Sequence, residues 1–180
     1  MDILIIESSP HRKGSSNLLA ERFRQGAQEA GHIVRVFDAG HADIRPCLGC
    51  DSCGMAGACV QEDDMEHVLK PAILAADMLV FATPVYYFGF SAQMKTVIDR
   101  FYSFNYQLTA QRKKAALLVA AWDSNTWTMR DISAHYETLC KYLDFQDQGQ
   151  ILGYGCGTVP MTRASKYPQA AYELGRSLGE

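Results

Sequence analysis

Four cysteines fall within one short segment of the chain. Cys47, Cys50, Cys53 and Cys59 follow the spacing C-x2-C-x2-C-x5-C. The first three have the close spacing that surrounds an iron–sulfur cluster, and the fourth is near enough to supply another thiolate. Three interpretations stay open: a [4Fe–4S] cluster that accepts single electrons, a structural zinc ion held by four thiolates, or a loop without metal.

A second group of residues, Ser8–Asn17, is rich in hydrogen-bond donors and cations. It follows a short apolar run and precedes a helical pattern, so orphan N–H groups and the helix dipole add to the side-chain donors. It matches neither the P-loop nor the G-x-G-x-x-G pattern. The segment predicts a phosphate site, whereas the alternative is an ordinary polar loop with Ser15 or Ser16 as the helix N-cap. The predicted phosphate contacts are Ser9, Arg12, Ser15, Ser16 and Asn17.

Two further loops carry aromatic side chains. One has four aromatic residues in five positions, which favours packing against a flat ring, although a hydrophobic plug for a subunit interface is also compatible. Its predicted ring contacts are Pro84, Val85, Tyr86, Tyr87, Phe88 and Gly89. The other loop places small polar groups between two indoles and is predicted to close over the other edge of the ring through Trp122, Asp123 and Ser124.

Buried-type strands and amphipathic helices alternate along the chain. Apolar runs predict five strands at 3–6, 32–37, 78–82, 115–121 and 150–154, and helical spacing predicts helices at 16–30, 63–76, 91–104, 126–143 and 169–178. Such alternation predicts an α/β fold with three layers, a doubly wound five-stranded parallel sheet in the order 2-1-3-4-5. Ligands bind such sheets outside the carboxyl ends of the strands, where loops 8–17, 83–91 and 121–127 converge.

Composition restricts the partners. The net charge of −3 and the pI of about 5.9 argue against a nucleic-acid partner. No apolar run approaches the roughly 20 residues that span a bilayer, so no membrane partner is expected. The first residues lack the pattern of a signal peptide, and a cytoplasmic location is expected. Cys140 lies outside the cysteine pattern and is predicted to belong to the core.

Several motifs together resemble one family. Ser9-Pro10-x-Arg12-Lys13-x-Ser15-Ser16-Asn17 resembles the G-S-P-R-K-x-G-N-[ST] loop of flavodoxin-like NAD(P)H-dependent FMN reductases. Thr83-Pro84-x-Tyr86 and Met94-Lys95-x-x-x-Asp99-Arg100 resemble the family's T-P-x-Y and L-K-x-x-x-D-R motifs. The cysteine segment with Asp63-Asp64-Met65 is similar to the iron–sulfur flavoprotein branch. Two departures are visible: Ser8 stands where Gly is usual, and His11 lies in the phosphate loop.

The resemblance implies a single flavodoxin-like FMN-binding domain over residues 1–180, with the cysteine-rich loop 46–60 inserted after strand 2. It implies FMN as cofactor, NAD(P)H as co-substrate, and a quinone, flavin or other small acceptor or a redox protein as partner. The chemistry is borne by the flavin, so no catalytic side chain is predicted. A homodimer or homotetramer is expected. The alternatives are an electron carrier that uses FMN and a [4Fe–4S] cluster, and a flavodoxin-like binding module without catalysis.

Overall fold

The structure is a computed structural model, and it describes residues 1–179. The strands are β1 (Asp2–Glu7), β2 (Ile33–Asp38), β3 (Met78–Tyr86), β4 (Gly89–Phe90), β5 (Lys114–Ala120) and β6 (Gln146–Gly153). The helices are α1 (Ser15–Glu29), α2 (Lys70–Ala75), α3 (Ala92–Arg100), α4 (Asn105–Thr109), α5 (Arg130–Leu143), α6 (Val159–Ala164) and α7 (Tyr167–Arg176). A π-helical segment, Met65–Leu69, leads into α2, and a 3₁₀ segment, Phe101–Phe104, joins α3 to α4.

Five strands form a parallel sheet in the order β2-β1-β3-β5-β6. The short β4 lies off this path and pairs antiparallel with the end of β3. When only the parallel strands are counted, the order is the predicted 2-1-3-4-5, so the doubly wound flavodoxin-like fold is confirmed. The reversal of strand order between β1 and β3 creates the switch point at which such sheets bind ligands.

The sheet is covered on both faces, which explains why its central strands are continuous apolar runs. Ile3 and Ile5 belong to the core under α1 and α7, whereas Leu4 and Ile6 belong to the core under α2, α3 and α5. The predicted core residue Cys140 is buried in the second of these cores. The alternation along β1 therefore supplies side chains to both layers.

Two glycines allow α1 and α7 to approach closely. A Cβ atom on Gly26 would lie 2.1 Å from the Tyr172 carbonyl oxygen, and one on Gly175 would lie 2.2 Å from the Phe23 carbonyl oxygen. Since no side chain separates the backbones, α7 packs directly on α1 and holds it against the sheet.

Some predicted boundaries were wrong for local reasons. The helix predicted at 126–143 begins at Arg130 because residues 125–128 form a turn. The last strand begins at Gln146 rather than residue 150, since a bulge, with Gly149 at φ +132°, interrupts its alternation. The elements β4, α4 and α6 were not predicted from the sequence, because they are too short to show a periodic pattern.

No helix among the described residues is both long enough and apolar enough to cross a membrane.

Candidate functional site

A cavity of about 510 Å³ lies at the carboxyl ends of β1, β3, β5 and β6. This volume is within the usual range for small-molecule and cofactor sites. Loops from four parts of the chain form its wall, and none of the lining residues is an Asp or Glu. The lining residues are Ser9, His11, Lys13, Gly14, Ser15, Ser16, Pro84, Val85, Tyr86, Ala120, Trp122, Cys156, Gly157, Thr158 and Val159.

The N-terminus of α1 faces this cavity without a side-chain cap. Its N-cap residue is Gly14, so the alternative in which Ser15 or Ser16 caps the helix is wrong. A Cβ atom on Gly14 would lie 2.9 Å from Ser9 Oγ and 3.1 Å from the His11 carbonyl oxygen. The tight turn therefore favours glycine, and the first N–H groups of α1 stay available for an anion.

Two predicted phosphate contacts do not line the cavity. Arg12 Nη1 donates to Asp38 Oδ2 over 3.1 Å in an exposed ion pair. Asn17 Nδ2 donates to Glu7 Oε2 over 2.5 Å. Burial raises the pKa of Glu7, although the hydrogen bond from Asn17 opposes the rise. Both side chains instead border a separate groove on the outer side of the loop.

His11 and Lys13 also line the cavity, where both can donate hydrogen bonds to an anion, and neither was predicted as a site residue. A signal for His11 was available in the sequence. When Gly14 is matched to the glycine of G-S-P-R-K-x-G-N-[ST] without a gap, His11 takes the position of the arginine. Arg12 was predicted instead because its guanidinium group can pair with a phosphate.

The aromatic loop is a tight β-hairpin. Tyr86 pairs with Gly89, and the two residues between them have left-handed backbones, with φ +46° for Tyr87 and +67° for Phe88. Turns of this kind normally use Asn or Gly, so bulky residues here cost on the order of 1–3 kcal/mol each. Such strain is typical of functional sites.

The hairpin divides its side chains between two environments. Of the predicted ring contacts, Pro84, Val85 and Tyr86 line the cavity, whereas Tyr87, Phe88 and Gly89 do not. Tyr87 is 99% exposed. Phe88 packs on Trp127 at a ring-centroid distance of 5.3 Å.

Within the third loop, only Trp122 of the predicted contacts lines the cavity. Asp123 instead organises the loop, since its carboxylate accepts hydrogen bonds from the backbone and side chain of Asn125 and from the Thr128 hydroxyl. These bonds hold the pKa of Asp123 below its usual value. Ser124 lies outside the cavity lining.

A fourth loop, residues 154–158, was missed by the sequence analysis. It follows β6 and adds Cys156, Gly157 and Thr158 to the cavity wall. A Cβ atom on Gly157 would lie only 2.2 Å from Trp122 Cε3, so the indole packs directly on this glycine. The run Gly153–Gly157 contains three glycines at the end of a strand, which is the signal that could have identified it.

Buried hydroxyl groups connect the phosphate loop to the hairpin. Ser91 Oγ donates to Ser8 Oγ over 2.9 Å, and the Ser91 N–H donates to Thr83 Oγ1 over 3.2 Å. All three residues are fully buried. Ser91 also caps α3 by accepting the Met94 N–H. The unusual Ser8 therefore has a structural explanation: it fixes the end of β1 to the segment after β4.

The cysteine loop surrounds a separate, much smaller cavity of about 20 Å³. Cys47, Cys50, Cys53 and Cys59 all line it as free thiols. Within residues 1–179, however, no three His, Cys, Asp or Glu side chains converge closely enough to hold a metal ion. The donor set suits a cluster or zinc, but the arrangement of the thiols is not that of a formed metal site.

One buried ion pair anchors this loop. Arg100 donates to both carboxylate oxygens of Asp63, over 2.6 and 3.1 Å, and to the Arg45 carbonyl oxygen over 2.8 Å. Gln61 Nε2 adds a bond to the Pro46 carbonyl oxygen over 2.8 Å. The Asp-Arg motif at residues 99–100 thus contributes its arginine to the stem of the cysteine loop, a role that the sequence analysis did not assign.

Comparison with solved structures agrees with the fold. The NAD(P)H:quinone oxidoreductase from Methanothermobacter marburgensis matches with a TM-score of 0.80 at 23% identity, over 100% of this chain and 96% of that chain. Together, the fold and the cavity at the switch point define a flavodoxin-like protein with a cofactor-sized site. Residues 1–141 match the family model described as NADPH-dependent FMN reductase. The chain belongs to this family and is an FMN-dependent oxidoreductase that uses NAD(P)H.

Relatives come from both branches that the motifs resemble. An iron–sulfur flavoprotein of Archaeoglobus fulgidus is 26% identical over 175 residues, which cover 97% of this chain and 77% of that protein. A Bacillus subtilis protein, named as an NAD(P)H-dependent FMN-containing oxidoreductase, is also 26% identical over 175 residues, with 86% of each chain covered. Matches to further iron–sulfur flavoproteins span about half of those proteins' lengths.

Proposed function

We propose that the 510 Å³ cavity holds FMN and that the protein transfers electrons from NAD(P)H to a quinone, a free flavin or another small acceptor. The observation that carries this proposal is the composition of the cavity wall. The wall combines the uncapped N-terminus of α1, Lys13 and His11 with the aromatic side chains of Tyr86 and Trp122. These are the two environments that a phosphate and a flat conjugated ring require.

Different lining residues bind the phosphate and the ring of FMN. Ser9, Ser15 and Ser16, with the first N–H groups of α1, bind the phosphate, while Tyr86 and Trp122 orient the ring. FMN supplies the hydride and electron transfer chemistry when it is bound. Among residues 1–179, none that lines the cavity carries a carboxylate, and no side chain is assigned as a general acid or base. The chain thus binds the cofactor, orients it and leaves room for a second substrate.

The two tryptophans provide a matched test of this placement. Trp122 lines the cavity, whereas Trp127 packs on Phe88 outside it. We expect Trp122→Ala to weaken FMN binding about tenfold, because an aromatic contact contributes on the order of 1 kcal/mol beyond its buried area. Trp127→Ala should change the affinity less than about twofold, since loss of a contact outside the cavity removes no ring contact.

The measurements are FMN binding by fluorescence and NAD(P)H consumption with a quinone as acceptor. Wild-type protein should be purified with FMN or take it up, and should oxidise NAD(P)H only when FMN is present. A chain that does not bind FMN would contradict the proposal. Equal effects of the two tryptophan variants would contradict the placement of the ring.

A second candidate function is that of an iron–sulfur flavoprotein electron carrier. The observation in its favour is that four free thiols line one small cavity beside the buried Arg100. A hydrogen bond with Ser52 also lowers the pKa of the exposed Cys50 thiol, which favours the thiolate form that binds metals. Cys47, Cys50, Cys53 and Cys59 would be the ligands, after the thiols move closer together.

Metal analysis after anaerobic purification distinguishes a cysteine loop that binds a [4Fe–4S] cluster from one that binds zinc or no metal. About four irons with acid-labile sulfide per chain would favour a [4Fe–4S] carrier. About one zinc per chain would favour a structural site. Protein that takes up neither metal would leave the FMN reductase as the function, with a metal-free loop.

We also propose a homodimer or homotetramer, formed from a single FMN-binding domain per chain with the loop at residues 46–60 as an insertion. Large apolar side chains stay exposed near the cavity and on α4, among them Tyr87, Trp127 and Tyr106. A subunit contact would cover such groups. Light scattering at micromolar concentration tests this, and a monomer would contradict it.

A further inference from the structure

The phosphate end of the cavity has an unusual balance of charge. Its lining residues include no carboxylate, and Lys13 is the one side chain among them that is permanently cationic. Arg12, which precedes Lys13, is engaged by Asp38 on the outer side of the loop. A phosphate monoester carries close to two negative charges at neutral pH. Lys13 and the dipole of α1 thus leave part of this charge without a cationic partner.

His11 lies at the position where that charge would be met. Its backbone is fixed on both sides: the His11 N–H donates to Ser9 Oγ over 3.1 Å, and its carbonyl oxygen accepts the Gly14 N–H over 2.9 Å. Ser9 is buried, so this anchor is rigid. The His11 side chain lines the same cavity as the uncapped N-terminus of α1 and has no hydrogen-bond partner among the described residues.

We propose that the His11 imidazolium is a phosphate ligand of this site, so that part of the affinity for FMN depends on a charge that is lost as the pH rises. The inference rests on the proposed function, since it requires the FMN phosphate to lie in the loop at residues 8–17. Protonated His11 donates a charge-assisted hydrogen bond to the phosphate, and neutral His11 provides no positive charge. Imidazole has an ordinary pKa of about 6.5, and a bound phosphate favours its protonated form.

Several other titratable or charged groups face His11 from the elements around it. Lys13 lies on the same loop and lines the same cavity. Tyr86 of the hairpin and Cys156 of the fourth loop also line the cavity. Asp38 on β2 is held by Arg12 and lies 3.0 Å from His41 Nδ1.

Two further titratable groups, Glu7 and His41, lie near the phosphate loop but outside the cavity lining. Glu7, at the end of β1, is bound to Asn17 and borders the outer groove. His41 is a second histidine close in sequence to this loop, but it is bonded to Asp38 and does not line the cavity. His41→Asn is therefore the control that separates the two histidines.

The test follows FMN release when the holoprotein is diluted, through the recovery of free-FMN fluorescence, at about pH 6 and about pH 8.5, on either side of the imidazole pKa. Wild-type protein should lose about tenfold in FMN affinity between the two conditions, the size of one charge-assisted hydrogen bond. His11→Arg should keep the higher affinity at both pH values. His11→Gln should have the lower affinity at both, and His41→Asn should behave as wild type.

Riboflavin, which lacks the phosphate, makes the two possible failures distinguishable. Its affinity should not depend on residue 11 at either pH. Equal affinities for FMN and riboflavin would overturn the placement of the phosphate and hence the proposed function. Tighter binding of FMN than riboflavin, with the same pH dependence in wild type and His11→Arg, would overturn the role of His11 alone.

Discussion

Arg100 is among the largest side chains buried in the molecule, and its guanidinium group needs a partner because an isolated buried charge is very costly. Asp63 provides that partner through two hydrogen bonds and is itself buried. The pair joins the end of α3 to the stem of the cysteine loop. Removal of one partner leaves the other as an uncompensated buried charge. This destabilises the fold more than replacement of both partners by apolar residues of similar volume.

We therefore expect Asp63→Asn to lower the free energy of unfolding by about 3–5 kcal/mol. Asp99→Asn is the matched control, since Asp99 pairs with Lys95 on the surface of α3 and such pairs contribute less than about 1 kcal/mol. Urea denaturation followed by circular dichroism measures both. Equal effects of the two variants would contradict the anchoring role of Asp63.

The same pair determines part of the acid stability. Burial by itself raises the pKa of Asp63, but hydrogen bonds from Arg100 and from the Arg45 N–H outweigh it, and the pKa lies below its ordinary value. A carboxyl group of this kind stabilises the fold above its unfolded pKa of about 3.9, and this contribution is lost as the pH falls through the lower folded value. Unfolding free energy should thus fall more steeply below about pH 4 in wild type than in Asp63→Asn.

Strand β1 and helix α3 position the phosphate loop and the hairpin at the cavity. The buried Ser8–Ser91 hydrogen bond links the end of β1 to the N-terminus of α3. We expect Ser91→Ala to lower the free energy of unfolding by about 1–3 kcal/mol, because Ser8 loses a partner and α3 loses its cap. Chemical denaturation measures this loss.

The double variant distinguishes coupling from separate effects. Ser8→Ala together with Ser91→Ala should cost less than the sum of the single variants, since each single variant already removes the hydrogen bond between the two hydroxyl groups. Ser177→Ala, at the exposed end of α7, serves as the control with little effect, since the Ser177 hydroxyl donates only to the Leu174 carbonyl oxygen of its own helix. Strict additivity of the two substitutions would argue that they act independently.

The contact between the third loop, at residues 121–127, and the fourth loop, at residues 154–158, requires glycine at position 157. Gly157→Ala places a methyl group where the Trp122 indole now lies, so the ring must move. Trp122 is 71% exposed and can move outward at little cost in stability, but it then leaves the cavity wall. We expect FMN affinity to fall about tenfold, the value of one aromatic contact, with a nearly unchanged melting temperature.

Gly179→Ala is the matched control for this variant, because nothing lies within 4 Å of a Cβ atom at that position. Tryptophan fluorescence should change in Gly157→Ala and not in Gly179→Ala. Unchanged FMN binding in both would show that Trp122 is not needed to hold the ring.

For the molecule as a whole, cofactor binding and folding are linked because the cavity is assembled from loops that follow four different strands. FMN at 100 times its Kd should stabilise the protein by about 2.7 kcal/mol. For a chain of this size this corresponds to a rise in Tm of about 5–10 °C. Thermal denaturation with and without FMN measures the shift, and riboflavin should give a smaller one. An unchanged Tm would argue against binding in this cavity.

The sequence by itself determined the layers, the strand order and three of the loops at the site. Strands buried on both faces must be continuous apolar runs, and helices must have an apolar face. The alternation of strands and helices could therefore be predicted from the sequence. Ser9, Ser15, Ser16, Pro84, Val85, Tyr86 and Trp122 were predicted from their types, and the fold brings them to one cavity.

Only the tertiary structure decided which donors of the first loop face inward. The fold places His11 and Lys13 on the cavity wall, with Lys13 also bordering the outer groove, whereas Arg12 pairs with Asp38 of β2. The contact of Gly157 with Trp122 likewise joins residues that are 35 positions apart in the chain. Local patterns specify which elements form, because propensity and periodicity act over a few residues. The direction of a single loop side chain depends on contacts between distant segments, which no local pattern contains.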